Sequence, residues 1–141
     1  MDQNRIIKIY RISTSKFGSG NKANSYMTPL GLHMIVSKIG WNARINTIFK
    51  NRRNTGKRAR INSGGKDFIT TRILRLKGLE QGKNRGRGID TFKRCIYIHG
   101  TPHERKIGSP ASHGCVRMTN ADIIDLFKRV PRGTLVNIVE K

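Results

Sequence analysis

Only one stretch of this 141-residue chain, NADIIDLFKRV near the C-terminus, carries apolar residues at helical spacing, and that limits the possible folds more than any other feature. Ile123, Leu126, Phe127 and Val130 fall on one face of it. Thr119 and Asp122 match the Ser/Thr-x-x-Asp/Glu start of a helix, with Asn120 as an alternative cap, and Pro131 and Gly133 close it. The other apolar residues come in short, β-branched runs separated by Gly, Pro and Asn. RIIKIYRIS (residues 5–13), LHMIVSKI (32–39), the stretch around 45–49, DFITTRILRLKGL (67–79), TFKRCIYIHG (91–100) and TLVNIV (134–139) all read as strands. In the fourth, alternation places Ile69, Thr71, Ile73 and Arg75 on one face. The runs follow one another too closely for repeated crossover helices, which favours a mostly antiparallel or mixed β fold with one helix over a parallel, doubly wound one. The length suits one domain, taken here as residues 1–141.

Charge narrows the partners. Lys and Arg number 29 against 8 acidic residues, a formal net charge of +21 spread along the whole chain. Such a field attracts polyanions: anionic wall polymer, nucleic acid or an anionic membrane surface. The densest cluster, residues 50–60, reads as a solvated loop, with a polyanion contact as the second reading. Only Trp41 and Phe49 lie near it, fewer aromatics than a single-strand nucleic-acid groove uses. Trp41 itself reads equally as a core residue or as a substrate platform. No stretch approaches the roughly 20 apolar residues of a membrane span, and the N-terminus alternates where a signal peptide would be continuously apolar. Two cysteines are too few for a disulfide framework, so both read as thiols, Cys95 as a small buried filler.

The chemistry concentrates in IHGTPHERKIGSPASHGCVRMTN, residues 98–120. Period-2 alternation puts Cys95, Tyr97 and His99 on one face of the strand and Ile96 and Ile98 on the other, so His99 stands at a strand end and Tyr97 is a candidate pocket wall. A thiol attacks a carbonyl as thiolate and needs a base, and His99, facing a loop that returns to Cys115, suits that role. His113 would share a side with Cys115 only if the segment were extended; a tight turn at Gly114 breaks that relation. The amides of His113, Gly114 and Cys115 are candidates to converge on one point as an oxyanion hole. The helix start near Asn120 and the charge of Arg117 both favour thiolate. Two other readings stay open on these residues alone: zinc held by His99, His103, His113 and Cys115, and ordinary core positions for His99 and Cys115.

The same stretch resembles the active-site signature of the L,D-transpeptidase family with the YkuD-like catalytic domain: a His-Gly pair, an IG-x-P segment, then SHGC, an apolar residue and Arg or Asn. TPLG at residues 28–31 is similar to the family's Thr-Pro-x-Gly turn, and NADIIDLFKRVPRGTLVNI to its closing helix and strand. The resemblance implies a single-domain β-sandwich of mixed sheets with one helix after the catalytic loop. It also implies that the usual N-terminal strand pair is missing ahead of residues 5–13. By the same match Cys115 is the nucleophile and His99 the base, while the carbonyl of Gly100 orients the other catalytic histidine. His113, Gly114 and Cys115 then supply the oxyanion amides, Ser112 supports the turn and Arg117 positions substrate or loop. The implied reaction is attack on the third residue of a peptidoglycan tetrapeptide stem, loss of D-alanine, and resolution of the thioester by another stem's amine to a 3→3 cross-link, or by water in an L,D-carboxypeptidase. No cofactor or metal is implied, a monomer is expected, and the bacterial periplasm or cell wall follows from the substrate. The alternative from another class is a basic polyanion- or nucleic-acid-binding module with an inactive site.

Overall fold

The computed structural model describes residues 5–140. Seven strands, β1 (Gly31–Ile39), β2 (Thr47–Lys50), β3 (Arg53–Arg58), β4 (Ile69–Gly78), β5 (Tyr97–Gly100), β6 (Val116–Met118) and β7 (Leu135–Ile138), are joined by one helix, α1 (Asn120–Arg129), and a one-turn 3-10 helix at Glu104–Lys106. All seven strands hydrogen-bond into one mixed sheet in the order β3-β2-β4-β1-β7, with β5 also on β4 and β6 on β5. Every pairing is antiparallel except β5 with β6. The described residues are therefore mainly β with a single α-helix.

β4 is where the sheet branches, and Thr71 is the reason. Its φ of 75° is a left-handed conformation that β-branched residues rarely adopt. The β4–β5 register slips between Thr70 and Ile73. Thr70 to Leu74 are all buried, so the expected alternation of Ile69, Thr71, Ile73 and Arg75 fails across the bulge. The conformation is held from both sides, because the Thr71 hydroxyl accepts from the Asn46 amide at 2.9 Å and donates to Asn120 Oδ1.

The main core packs Ile35, Leu74, Leu76, Ile98, Val116 and Met118 against Ile123 and Phe127 of α1. Each such side chain contributes roughly 1.5–3 kcal/mol when fully buried. Thr119 caps the helix by accepting the Asp122 amide at 3.2 Å, as its sequence signal predicts. A smaller cluster of Phe49, Ile73 and Tyr97 has Cys115 packed on it. Neighbouring positions on β5 and β6 thus divide: Ile98 and Val116 join the helix-side core, Tyr97 and Cys115 the smaller cluster.

Further sequence expectations change. Residues 5–12 form no strand; only Ser13 pairs, trading two backbone hydrogen bonds with Arg117 at 2.9 and 2.8 Å. Ile6, Ile7 and Ile9 are 75–78% exposed, so apolar alternation there lacks both a sheet neighbour and a core. The strand expected from Thr91 starts only at Tyr97: residues 91–95 make a turn, Cys95 sits at φ 58°, and its side chain is exposed instead of filling the interior. The basic cluster is a β2–β3 hairpin instead of a loop, its two-residue turn made by Asn51 and Arg52, both at positive φ, with every residue of β3 exposed.

Candidate active site

The parallel register of β5 and β6 sets Ile98 beside Val116 and His99 beside Arg117, which brings Cys115, just ahead of β6, alongside Tyr97. The Tyr97 amide donates to Cys115 Sγ at 3.3 Å, and the thiol lies 3.6 Å from the Cys95 carbonyl. Paired positions share a face, so Tyr97, His99, Cys115 and Arg117 line one side. His99 is buried, and its Nδ1 lies 2.6 Å from the Gly100 carbonyl. A carbonyl only accepts, so Nδ1 carries the proton and Nε2 is left as the basic atom. The Gly100 carbonyl therefore orients His99 itself and not the second histidine, a departure from the expectation. Gly100 has no room for a side chain: a Cβ there would stand 2.6 Å from the Thr70 carbonyl and 2.7 Å from Asn120 Oδ1.

Burial dominates the electrostatics. It pushes the Cys115 thiol up to about 11 and pulls His99 down to about 4, so at neutral pH both are uncharged. Arg117 draws the thiol toward thiolate as expected, but desolvation outweighs that charge and Asp67 opposes it. Arg117 is itself 2% exposed and ion-paired with Asp67, whose other oxygen accepts from the Thr101 hydroxyl at 3.1 Å. Nε and Nη2 of Arg117 have no hydrogen-bond partner among the described residues.

The SHGC segment turns tightly at Gly114, whose φ is 125°. Ser112 Oγ donates to the Cys115 carbonyl at 2.6 Å and accepts the Gly114 amide at 3.2 Å, so that amide is already engaged. Among the described residues the His113 and Cys115 amides make no hydrogen bond, which leaves two of the three expected donors available. Thr28 of the TPLG turn braces the loop, donating to the Gly114 carbonyl at 3.0 Å. The turn also swings the His113 ring away, to 5.8 Å from Phe17 and 5.7 Å from Tyr26 between centroids. There it lines a cavity of about 370 Å³ with Tyr26, Asp90, Arg94 and Ile96. Arg94 donates to the Gly20 and Met27 carbonyls and fixes this wall. The zinc reading finds no donor set: among the described residues no three His, Cys, Asp or Glu side chains gather closely enough to share an ion.

Sequence reasoning missed Asp67 and Arg52 and read Asn120 only as a helix start, not as the side chain that braces Thr70, Thr71 and Thr101. Arg52, at the hairpin tip, donates to the Tyr97 hydroxyl at 2.9 Å and so leans over the residue whose amide holds the sulfur. Its only local signal was the Asn-Arg turn in a cluster read as loop.

This mainly β scaffold sets a histidine on a strand end and a cysteine on the adjoining loop, on one face of the sheet. The family model for the YkuD L,D-transpeptidase catalytic domain matches residues 1–138, and the chain belongs to that family, whose members act on peptidoglycan. YqjB of Bacillus subtilis (strain 168), named as an L,D-transpeptidase, is 42% identical over 50 residues, which is 36% of this chain and 28% of the relative. YbiS of Escherichia coli (strain K12), likewise named, is 48% identical over 48 residues, 34% of this chain and 16% of the relative. L,D-transpeptidase 3 from Mycobacterium tuberculosis, solved with a faropenem-derived adduct, superposes with a TM-score of 0.54 at 17% identity, covering 99% of this chain and 50% of that one. L,D-transpeptidase LdtMt1, solved with imipenem, gives 0.52 at 18% identity, covering 94% of this chain and 49% of that one. The matches thus span about half the length of these solved chains and less than a third of the two curated relatives.

Proposed function

We propose that this chain is a peptidoglycan L,D-transpeptidase that works through a Cys115 thioester. The observation carrying the proposal is the His99 tautomer: with Nδ1 committed to the Gly100 carbonyl, the unprotonated Nε2 belongs to a ring on the same sheet face as Cys115. As the sulfur attacks the carbonyl carbon of the third stem residue, the thiol proton passes to Nε2. The oxyanion is held by the His113 and Cys115 amides. Collapse breaks the amide bond; His99 returns the proton to the departing D-alanine amine, leaving the acyl group on sulfur. The amine of a second stem then attacks the thioester, gives its proton to His99, and the released sulfur takes that proton back as the 3→3 bond is completed. Ser112 keeps the turn in shape, Tyr97 walls the site, and Arg117 fixes β6 through Asp67. The acceptor stem belongs to the wall, so the bacterial periplasm or cell wall is the compartment proposed.

Intact-protein and product mass spectrometry after incubation with a purified disaccharide-tetrapeptide tests this directly. A Cys115-linked acyl adduct and a 3→3 dimer, both absent in a folded Cys115→Ala variant, are expected. Tripeptide without dimer would reassign the acceptor to water, and cross-linking by Cys115→Ala would remove the nucleophile from the scheme.

A further inference from the structure

The C-terminal end of α1 and the turn after β1 enclose a groove of about 640 Å³ that shares no residue with the candidate active site. Its lining carries Lys38, Lys128, Arg129 and Arg132, no acidic residue, and the chain's single tryptophan, Trp41. Trp41 is 64% exposed, yet its ring is fixed. Phe127 meets it edge-on at 4.7 Å between centroids, and Lys38 Nζ lies 4.7 Å from its centre. Lys38 is itself anchored, donating at 2.6 Å to the Phe127 carbonyl where α1 runs out of internal donors. Arg129 is turned partly toward Asp125, its Nε 2.9 Å from Oδ2. Lys128 and Arg132 remain as the charges that the groove presents to a ligand.

An indole held in place and rimmed by cations suits a ligand that has both a ring face to stack and phosphates to pair. The chain's net charge of +21 favours a polymeric anion over a small one. Single-stranded nucleic acid is bound by several aromatics in series, and this groove offers one exposed ring. We propose that the groove binds a phosphate-bearing cell-wall glycopolymer, with a sugar ring on Trp41 and phosphates on Lys128 and Arg132, holding the chain on the wall where its cysteine site works. The choice of a wall polymer rests on the peptidoglycan activity proposed above.

Because Trp41 is the sole tryptophan, its emission reports on this groove alone. The full chain is titrated with purified glycosylated poly(ribitol phosphate), with neutral dextran and oligothymidylate as comparison ligands. The expected result is a saturable change with the glycopolymer, none with dextran and weaker binding of the oligonucleotide. Lys128→Glu/Arg132→Glu is expected to raise Kd about tenfold at physiological salt. Lys128→Ala/Arg132→Ala serves if the charge reversal disturbs the circular dichroism spectrum. An unchanged Kd in the folded double variant would overturn the proposal in favour of the diffuse field, and tighter oligothymidylate binding would overturn it in favour of nucleic acid. Turnover of the soluble disaccharide-tetrapeptide is read separately and is expected to be unchanged in the double variant. A chain that binds polymer but never turns over stem peptide would sink the transpeptidase reading and leave the groove standing.

Discussion

At the level of single residues, a neutral thiol and a neutral imidazole on one sheet face have measurable consequences. With the Cys115 thiol near 11, the thiolate fraction grows about tenfold per pH unit through the neutral range. In a Cys95→Ser background, which leaves one thiol, carboxamidomethylation of Cys115 is expected to be about tenfold faster at pH 8 than at pH 7 and still rising at pH 9. A rate that is flat from pH 6 upward would instead reveal a resting thiolate–imidazolium pair. His99 gives the complementary signature in stability. Its folded pKa is about 4 against 6.5 unperturbed, so between those values the unfolded chain takes a proton that the folded chain refuses. Unfolding free energy therefore falls as pH drops through that window, by roughly 3–4 kcal/mol at most, since a difference of 6.5 − 4 = 2.5 units is worth about 1.4 kcal/mol each. Buried His33, also lowered by desolvation, pulls in the same direction. Among the described residues the carboxylates with lowered values, Asp90 and Asp125, titrate below this window and do not mask it. Melting temperatures between pH 7 and pH 4.5 should fall in the wild type and fall less in His99→Gln; equal slopes would mean His99 is not buried neutral.

At the level of elements, the helix does more than cover the core, because its first residue ties three segments together. Asn120 is buried; its Oδ1 accepts from the Thr70 and Thr71 hydroxyls, and its Nδ2 donates at 2.8 Å to both the Thr101 carbonyl and Glu104 Oε2. Asn120→Ala would orphan those groups at the branch of β4 and the start of the loop between His99 and Cys115. The expected loss is roughly 2–4 kcal/mol by urea denaturation, at about 1–3 kcal/mol for each unsatisfied buried group with partial relaxation. A loss under about 1 kcal/mol would show that the strained Thr71 does not depend on this amide. The same elements explain what the sequence made legible. α1, its Thr119 cap, β1, β7 and the candidate pair His99 and Cys115 are written locally, in spacing and residue type. Thr71 could not be read because its conformation is imposed by Asn46 and Asn120, 25 and 49 positions away. Asp67 with Arg117 and Arg52 with Tyr97 are likewise pairings across 50 and 45 positions, set by sheet topology. Residues 5–12 show the opposite failure: their alternation is strand-like, but the sheet offers a neighbour only at Ser13.

For the whole molecule, the balance of charge decides how it responds to salt. With 29 basic residues against 8 acidic ones, most cations on the surface have other cations as neighbours, and compaction brings them closer. Among the described residues the ion pairs that salt could weaken are few. Asp125 serves Lys8 and Arg129 at the surface, whereas the Asp67–Arg117 pair has its guanidinium buried and is screened little. Repulsion should therefore outweigh attraction in the screened part of the energy. Raising ionic strength from 0.01 to 0.15 M shortens the Debye length from about 30 to about 8 Å, which removes most repulsion between cations beyond immediate neighbours. Differential scanning calorimetry at pH 7.5, where His99 is neutral in both states, is expected to show the melting temperature rising by about 3 °C or more over that range, since about 1 kcal/mol shifts a domain of this size by roughly 3–5 °C. Chloride and sulfate matched in ionic strength separate the sources of the gain. Equal shifts identify general screening, and a larger shift in sulfate than in chloride that disappears in Lys128→Ala/Arg132→Ala identifies anion occupancy of the Trp41 groove. A melting temperature that falls with added salt would mean that the few ion pairs, led by those of Asp125, outweigh the repulsion of the surplus cations.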